Sequence, residues 1–105
     1  MRRLFIATDA LRNAPDYDRY WEVGFDILQY FEDQGFDPPS GSNFAGPSSI
    51  KSWFEYRSRW GEIRFDVTEE PLTFVVSADG EPEHTKSHQG ALEKIYRSHG
   101  FTLSP

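Results

Sequence analysis

The chain has no cysteine, so neither a disulfide framework nor thiolate chemistry is open to it, and a reducing compartment suits it. No apolar stretch approaches the length of a membrane span. The N-terminus opens on Arg2 and Arg3, but the apolar run behind them is too short for a signal peptide. A cytoplasmic protein with no membrane attachment is the expectation. A phosphate loop is missing too: GSNFAGPSS, residues 41–49, lacks both the lysine and the strand-then-helix setting. None of the serines sits in a nucleophile-elbow pattern. With 17 acidic residues and three histidines, carboxylate–histidine pairs arise by chance, so their presence in sequence carries no weight for catalysis.

Hydrophobic residues make up only 37% of the 105, yet aromatics reach 16%, so a few large rings must supply much of the buried area. Such a composition belongs to a folded chain rather than a disordered one, and the length suits a single domain over residues 1–105 with one core. The net charge of −6 is uneven. Residues 15–40 carry seven acids against Arg19 alone, and residues 65–83 carry six acids and no base. An acidic field of this kind repels nucleic acid and attracts basic partners.

Asp16 to Phe36, DYDRYWEVGFDILQYFEDQGF, predicts one long amphipathic helix. At 100° per residue, Tyr17, Tyr20, Val23, Gly24, Ile27, Leu28 and Phe31 fall on one broad apolar side. Asp18, Glu22, Asp26, Gln29 and Asp33 form a ridge on the other, with Trp21 and Phe25 at its border. Asn13-Ala14-Pro15 provides the start, and Gly35 the left-handed stop with Phe36 folding back on the last turn.

Around this helix the pattern is that of strands. Leu4 to Thr8 is a short apolar strand. Residues 37–49 form a Pro-, Gly- and Ser-rich loop whose one large apolar residue is Phe44. Ile50 to Trp60 reads as a strand, although Ser49 is also placed to cap a helical turn there. Ile63, Phe65 and Val67 alternate with Glu62, Arg64 and Asp66, and Leu72 to Val76 is a further strand closed by Asp79-Gly80. Glu81 to Lys86 reads as irregular. Ser87 is the expected cap of a last helix carrying Leu92, Ile95, Tyr96 and His99, stopped by Gly100-Phe101. The expected fold is α+β, in the order β-α-β-β-β-α, with an antiparallel-rich sheet and both helices packed on one face. Phe65 and Phe74 should point toward Ile27, Leu28 and Phe31. The first strand reaches the sheet by a crossover, right-handed if it lies parallel to its neighbour.

The order α-β-β-β-α resembles double-stranded-RNA-binding domains, and the full order resembles ribosome-hibernation factors. That resemblance implies phosphate contacts by lysines at the start of the last helix. This chain offers only Lys86 there, behind Glu81 and Glu83, a balance poorly suited to neutralising phosphates. Nucleic acid is therefore not the expected partner.

Three groups of residues remain as sites. The ridge Asp18, Glu22, Asp26 and Asp33, with Trp21 and Phe25 as desolvated anchors, has like charges spaced at i, i+4. That spacing costs an isolated helix about 0.2–0.5 kcal/mol per pair and suits a cationic partner. Trp53, Tyr56, Arg57, Arg59 and Trp60 interleave arginine with aromatics as a second face; alternatively Arg57 or Arg64 pairs across strands with Glu55, Glu62 or Asp66 while the rings cover the sheet. His84 and His88 have metal-ligand spacing if the last helix starts early. No third ligand is evident beyond Asp79, near in sequence only, so neither a metal nor a cofactor is expected. These features favour a non-catalytic module docking onto a basic protein surface, with an inhibitor, antitoxin or immunity-type role in view. The alternative is a small enzyme or ligand-binding domain using a cleft near the 37–49 loop and the 81–88 segment. A homodimer built on the sheet fits either.

Overall fold

The computed structural model describes residues 1–9, 17–42, 51–68 and 71–105, with the backbone alone at 17, 18, 42, 51 and 52. The expected helix start at Asn13-Ala14-Pro15, the loop residue Phe44 and the alternative cap Ser49 fall outside the described residues. The elements are β1 (Arg2–Thr8), α1 (Tyr17–Asp33), β2 (Ser40–Ser42), β3 (Lys51–Ser58), β4 (Gly61–Thr68), β5 (Thr73–Gly80), α2 (Pro82–Ser98) and β6 (Thr102–Ser104). The order β-α-β-β-β-α holds, and two three-residue strands, β2 and β6, are added at the margins of the sheet.

The strands form one six-stranded sheet in the order β2-β3-β4-β5-β1-β6. All its pairings are antiparallel. The first strand thus lies antiparallel between β5 and β6, and the handedness expected of a parallel crossover does not arise. Residues 51–58 are strand, set by the register Phe54↔Phe65 and Tyr56↔Ile63 across the hairpin. Where that hairpin meets the next, Gly61 and Gly80 face each other so closely that a Cβ on Gly61 would lie 2.2 Å from the Asp79 carbonyl oxygen.

One face of the sheet carries both helices. Val23, Ile27 and Phe31 of α1 are fully buried, one helical turn apart. Phe65 and Phe74 both point to this side and are fully buried. Phe65 stacks on Phe54 at 4.7 Å and meets Phe31 at 6.2 Å. Phe74 meets Tyr20, Tyr96 and Phe101 instead, at 5.8, 5.2 and 5.8 Å. Its ring neighbours are therefore the first turns of α1 and the last of α2, rather than the middle of α1.

Both helices end the same way. Gly35 (φ 80°) and Gly100 (φ 83°) take the left-handed conformation. The amides of Phe36 and Phe101 then donate back to the carbonyls of Phe31 and Tyr96 at 3.0 and 3.1 Å. Each terminal phenylalanine packs on the ring it folds over, at 4.7 and 5.3 Å.

The start of α2 differs from expectation. It begins at Pro82, with Glu81 as N-cap, so residues 82–86 are helical rather than irregular. Proline fits there because the first helical amide has no intrahelical acceptor to lose. Ser87 is inside the helix, its hydroxyl donating to the His84 carbonyl at 3.0 Å.

Tyr96 of α2 is fully buried, and its hydroxyl has no hydrogen-bond partner among the described residues. Burial pushes that phenol well above its ordinary pKa, so it stays neutral. An unpaired buried hydroxyl costs about 1–3 kcal/mol. Tyr96→Phe, which keeps the ring, is expected to leave stability unchanged or raise it by about 1 kcal/mol. Urea unfolding of the variant checks this, and a clear loss of stability would show that the hydroxyl has a partner.

Candidate functional site

The six-member acidic-aromatic ridge is the first thing the structure sorts. Trp21 and Phe25 are 50% and 61% exposed, with their rings 5.9 Å apart. Glu22, Asp26 and Asp33 are exposed as well, while the side chain of Asp18 lies outside the described residues. These three acids already have partners inside the molecule. Glu22 lies 3.6 Å from Arg19, and Asp26 accepts from His99 Nε2 at 2.6 Å. Gln29 donates to Asp33 at 2.9 Å. The ridge is therefore partly neutralised, and the middle of it is tied to the end of α2.

What the sequence did not show is that the two exposed rings stand at the lip of an apolar groove. Tyr20, Trp21, Gly24, Phe25 and Leu28 of α1 form one wall, and Phe54, Tyr56 and the Pro39-Ser40-Gly41 edge the other, enclosing about 260 Å³. Gly24 opens it: a Cβ built there would meet nothing within 4 Å. A glycine inside a helix costs about 0.5–1 kcal/mol relative to alanine, and no steric conflict requires it here. Leu28 and Tyr56 continue the groove into a second hollow of about 230 Å³, where Glu32, Phe36, Asp37 and Pro38 complete the lining. Helix periodicity does place Gly24 and Leu28 on the apolar side. Only the strand edge supplies the opposite wall.

The arginine–aromatic face is not one surface. Strand alternation turns Tyr56 inward, 3% exposed and stacked on Phe31 at 4.3 Å. Trp53 lies on the far side of the sheet with Arg64 over its ring at 4.5 Å. Arg57 pairs there with Glu55 and, at 3.3 Å, with Glu62. Cross-strand pairing therefore absorbs these residues. Arg59 and Trp60 occupy the two-residue turn, where the guanidinium sits 4.5 Å over the indole.

That turn leads to a different gathering. Because α2 begins at Pro82, His84 and His88 share a helix face, and both line a polar cleft of about 700 Å³. Asp37, Arg59, Trp60 and Ser87 line it too. The His84 ring stacks on Trp60 at 4.9 Å with 15° between planes, and its Nε2 lies 3.7 Å from Glu81. His88 Nδ1 shares a 2.7 Å hydrogen bond with the Tyr30 hydroxyl, and Phe36 packs edge-on against its ring at 5.1 Å. Burial, and then the nearby charge of His84, lower the His88 pKa, while burial raises that of Tyr30. At neutral pH the pair is an imidazole and a phenol, both uncharged. Asp79 does not line this cleft but a neighbouring hollow with Glu62. Among the described residues, no group of three or more His, Cys, Asp or Glu is placed to hold a metal ion.

A third cluster is structural. Asp9 is 1% exposed, and Arg19 Nε lies 3.2 Å from its Oδ2. The same guanidinium donates to the His99 carbonyl at the end of α2 and lies 5.4 Å from the Phe101 ring centre. It joins the end of β1, the start of α1 and the C-terminal cap of α2.

The described residues define a two-layer α+β fold, with two helices on one face of an antiparallel sheet. No family model matches the chain, and neither a curated protein nor a solved structure does. No helix among the described residues is long and apolar enough to cross a membrane.

Proposed function

We propose that the protein is a binding module whose groove between α1 and the β2–β3 edge takes an apolar side chain from a basic partner protein. The observation that carries this reading is the exposed Trp21–Phe25 pair at the lip of the groove. Exposed aromatics beside a preformed pocket are the usual anchors of protein interfaces. Charge chooses the partner: Glu32 and Asp37 line the continuation of the groove, and Glu22, Asp26 and Asp33 stand on the same helix. The one base of that helix, Arg19, is directed to Asp9, Glu22 and the His99 carbonyl. A segment carrying Lys or Arg around an aliphatic or aromatic residue complements this surface, and steering by the acidic field speeds its arrival. An inhibitor, antitoxin or immunity-type role belongs to this reading, because nucleic-acid-handling proteins present such basic surfaces.

The test is selection from a random peptide display library. Enriched peptides are expected to combine basic residues with a large apolar one and to bind less tightly at high salt. Their affinity should fall tenfold or more, about 1.4 kcal/mol, in Trp21→Ala and in Gly24→Leu, which fills the groove. Both changes lie on half-exposed or exposed positions and leave the core intact. Peptides that bind both variants as tightly as wild type would remove the groove from this reading.

A further inference from the structure

We propose that His84 and His88 form a two-point chelating site for a borderline first-row divalent ion such as Zn²⁺, open toward the cleft beside Trp60. Neither histidine lines the groove or its extension, and the site does not depend on them. Four residues apart on the continuous helix α2, the two side chains stand one turn above each other, with Cβ atoms about 5–6 Å apart. With that spacing two imidazoles on a helix can reach one ion. Both rings line the same cleft, so the approach is from solvent.

Each imidazole is also held. Tyr30 engages His88 Nδ1 at 2.7 Å, leaving Nε2 as the nitrogen free to bind. When Nδ1–H donates to the phenol oxygen, the Nε2 lone pair is available, as in metal sites where a hydrogen bond to the other ring nitrogen orients the ligand. His84 is pinned by its stacking on Trp60. The charges around the pair favour a cation over an anion. The Glu81 carboxylate lies 3.7 Å from His84 Nε2, and Asp37 lines the cleft. Arg59, the one arginine or lysine lining it among the described residues, rests its guanidinium over the Trp60 ring. Nitrogen donors select Zn²⁺, Ni²⁺ or Cu²⁺ over Mg²⁺ or Ca²⁺, which prefer oxygen. With no third protein ligand in place among the described residues, two coordination positions or more belong to water or to a donor from a bound molecule. Such a site is open, unlike the closed four-ligand sites that hold small folds together.

Calorimetric titration of the intact chain with zinc chloride at neutral pH tests this. One ion per chain is expected, with affinity at least tenfold weaker in His84→Gln and lost in the double variant His84→Gln, His88→Gln. His99→Ala should bind as wild type, which separates the site from the His99–Asp26 pair. Because His88 packs against Tyr30, Phe31 and Phe36, the double variant counts only if its circular dichroism is native. His84→Gln, at a half-exposed ring, decides the matter alone. Nuclear magnetic resonance of the ring nitrogens should show zinc displacing the His88 Nε2 signal while Nδ1 keeps its proton. Absence of binding at millimolar zinc, or binding undiminished by His84→Gln, overturns the proposal.

Discussion

Arg19→Ala is expected to lower stability by about 3–5 kcal/mol, because it leaves a carboxylate buried without its counter-charge. Asp9 is 1% exposed; its Oδ2 faces Arg19 and its Oδ1 has no hydrogen-bond partner among the described residues. A buried charge of this kind repays its desolvation only through the partner it meets. The same substitution strips a donor from the His99 carbonyl, one of the orphan carbonyls at the end of α2, and removes packing over Phe101. By contrast, the ion pair between Arg19 and Glu22 adds little to the penalty, since Glu22 is 56% exposed. The cause is separable from the loss of packing. In the double variant Asp9→Asn, Arg19→Ala, the charge is gone along with its partner, and the penalty should be well below the sum of the single changes Asp9→Asn and Arg19→Ala. Denaturant unfolding of the three variants measures this. Additive penalties would show that Arg19 acts by packing alone and that the ion pair contributes nothing specific.

Phe74→Ala is the second large effect, at about 3–5 kcal/mol. Domains of this size have about 5–15 kcal/mol in all, so the variant stands near the edge of folding. The ring is fully buried at the centre of the helix-covered face, between its strand partners Ala7 and Val67. It stacks on Tyr20 with 8° between planes and touches Tyr96 and Phe101. Its removal therefore opens a cavity where α1, α2 and the strap after α2 meet. Three large aromatic rings cannot collapse into that space without leaving their own rotamers. A denaturant midpoint close to wild type would mean that the core is centred elsewhere.

Both sites gather residues that are remote in the chain, and they touch. Phe36 and Asp37, just past the end of α1, line both the extension of the groove and the histidine cleft. An ion held by His84 and His88 would thus sit beside the end of the groove that Glu32 and Asp37 make acidic. That gives the two proposals a common boundary, although each is tested by its own variants.

Local chemistry made much of this molecule legible. The 3.6-residue period of Val23, Ile27 and Phe31 defines the buried side of α1. The two Gly-Phe pairs announce identical helix ends, because only a left-handed residue lets the next amide turn back. The period-2 run Ile63, Phe65, Val67 sets the face of β4. All of these rest on contacts within a few residues, and each can be read before anything folds. The early start of α2 was also within reach: Pro82 is where a first-turn proline belongs, but the polar residues after it concealed the helix.

Other features were decided only when distant segments met. Nothing local tells β1 to lie antiparallel between β5 and β6, since that choice depends on pairing residues as remote in the chain as Arg2 and Ala78. Strand alternation turned Tyr56 into the core and split the arginine–aromatic face, a result that follows from which side of the sheet the helices cover. The counter-charge of Asp9, the wall that faces Gly24 and the stacking of Trp60 on His84 each join elements with no sequence relation. The sequence by itself determined the elements, their caps and their apolar faces, through steric and hydrogen-bonding rules that act over one or two turns. The tertiary structure alone decided which surfaces meet. It thereby turned the aromatic border of an acidic helix ridge into the lip of a groove, and it placed His84, expected in an irregular stretch, on one helix face with His88.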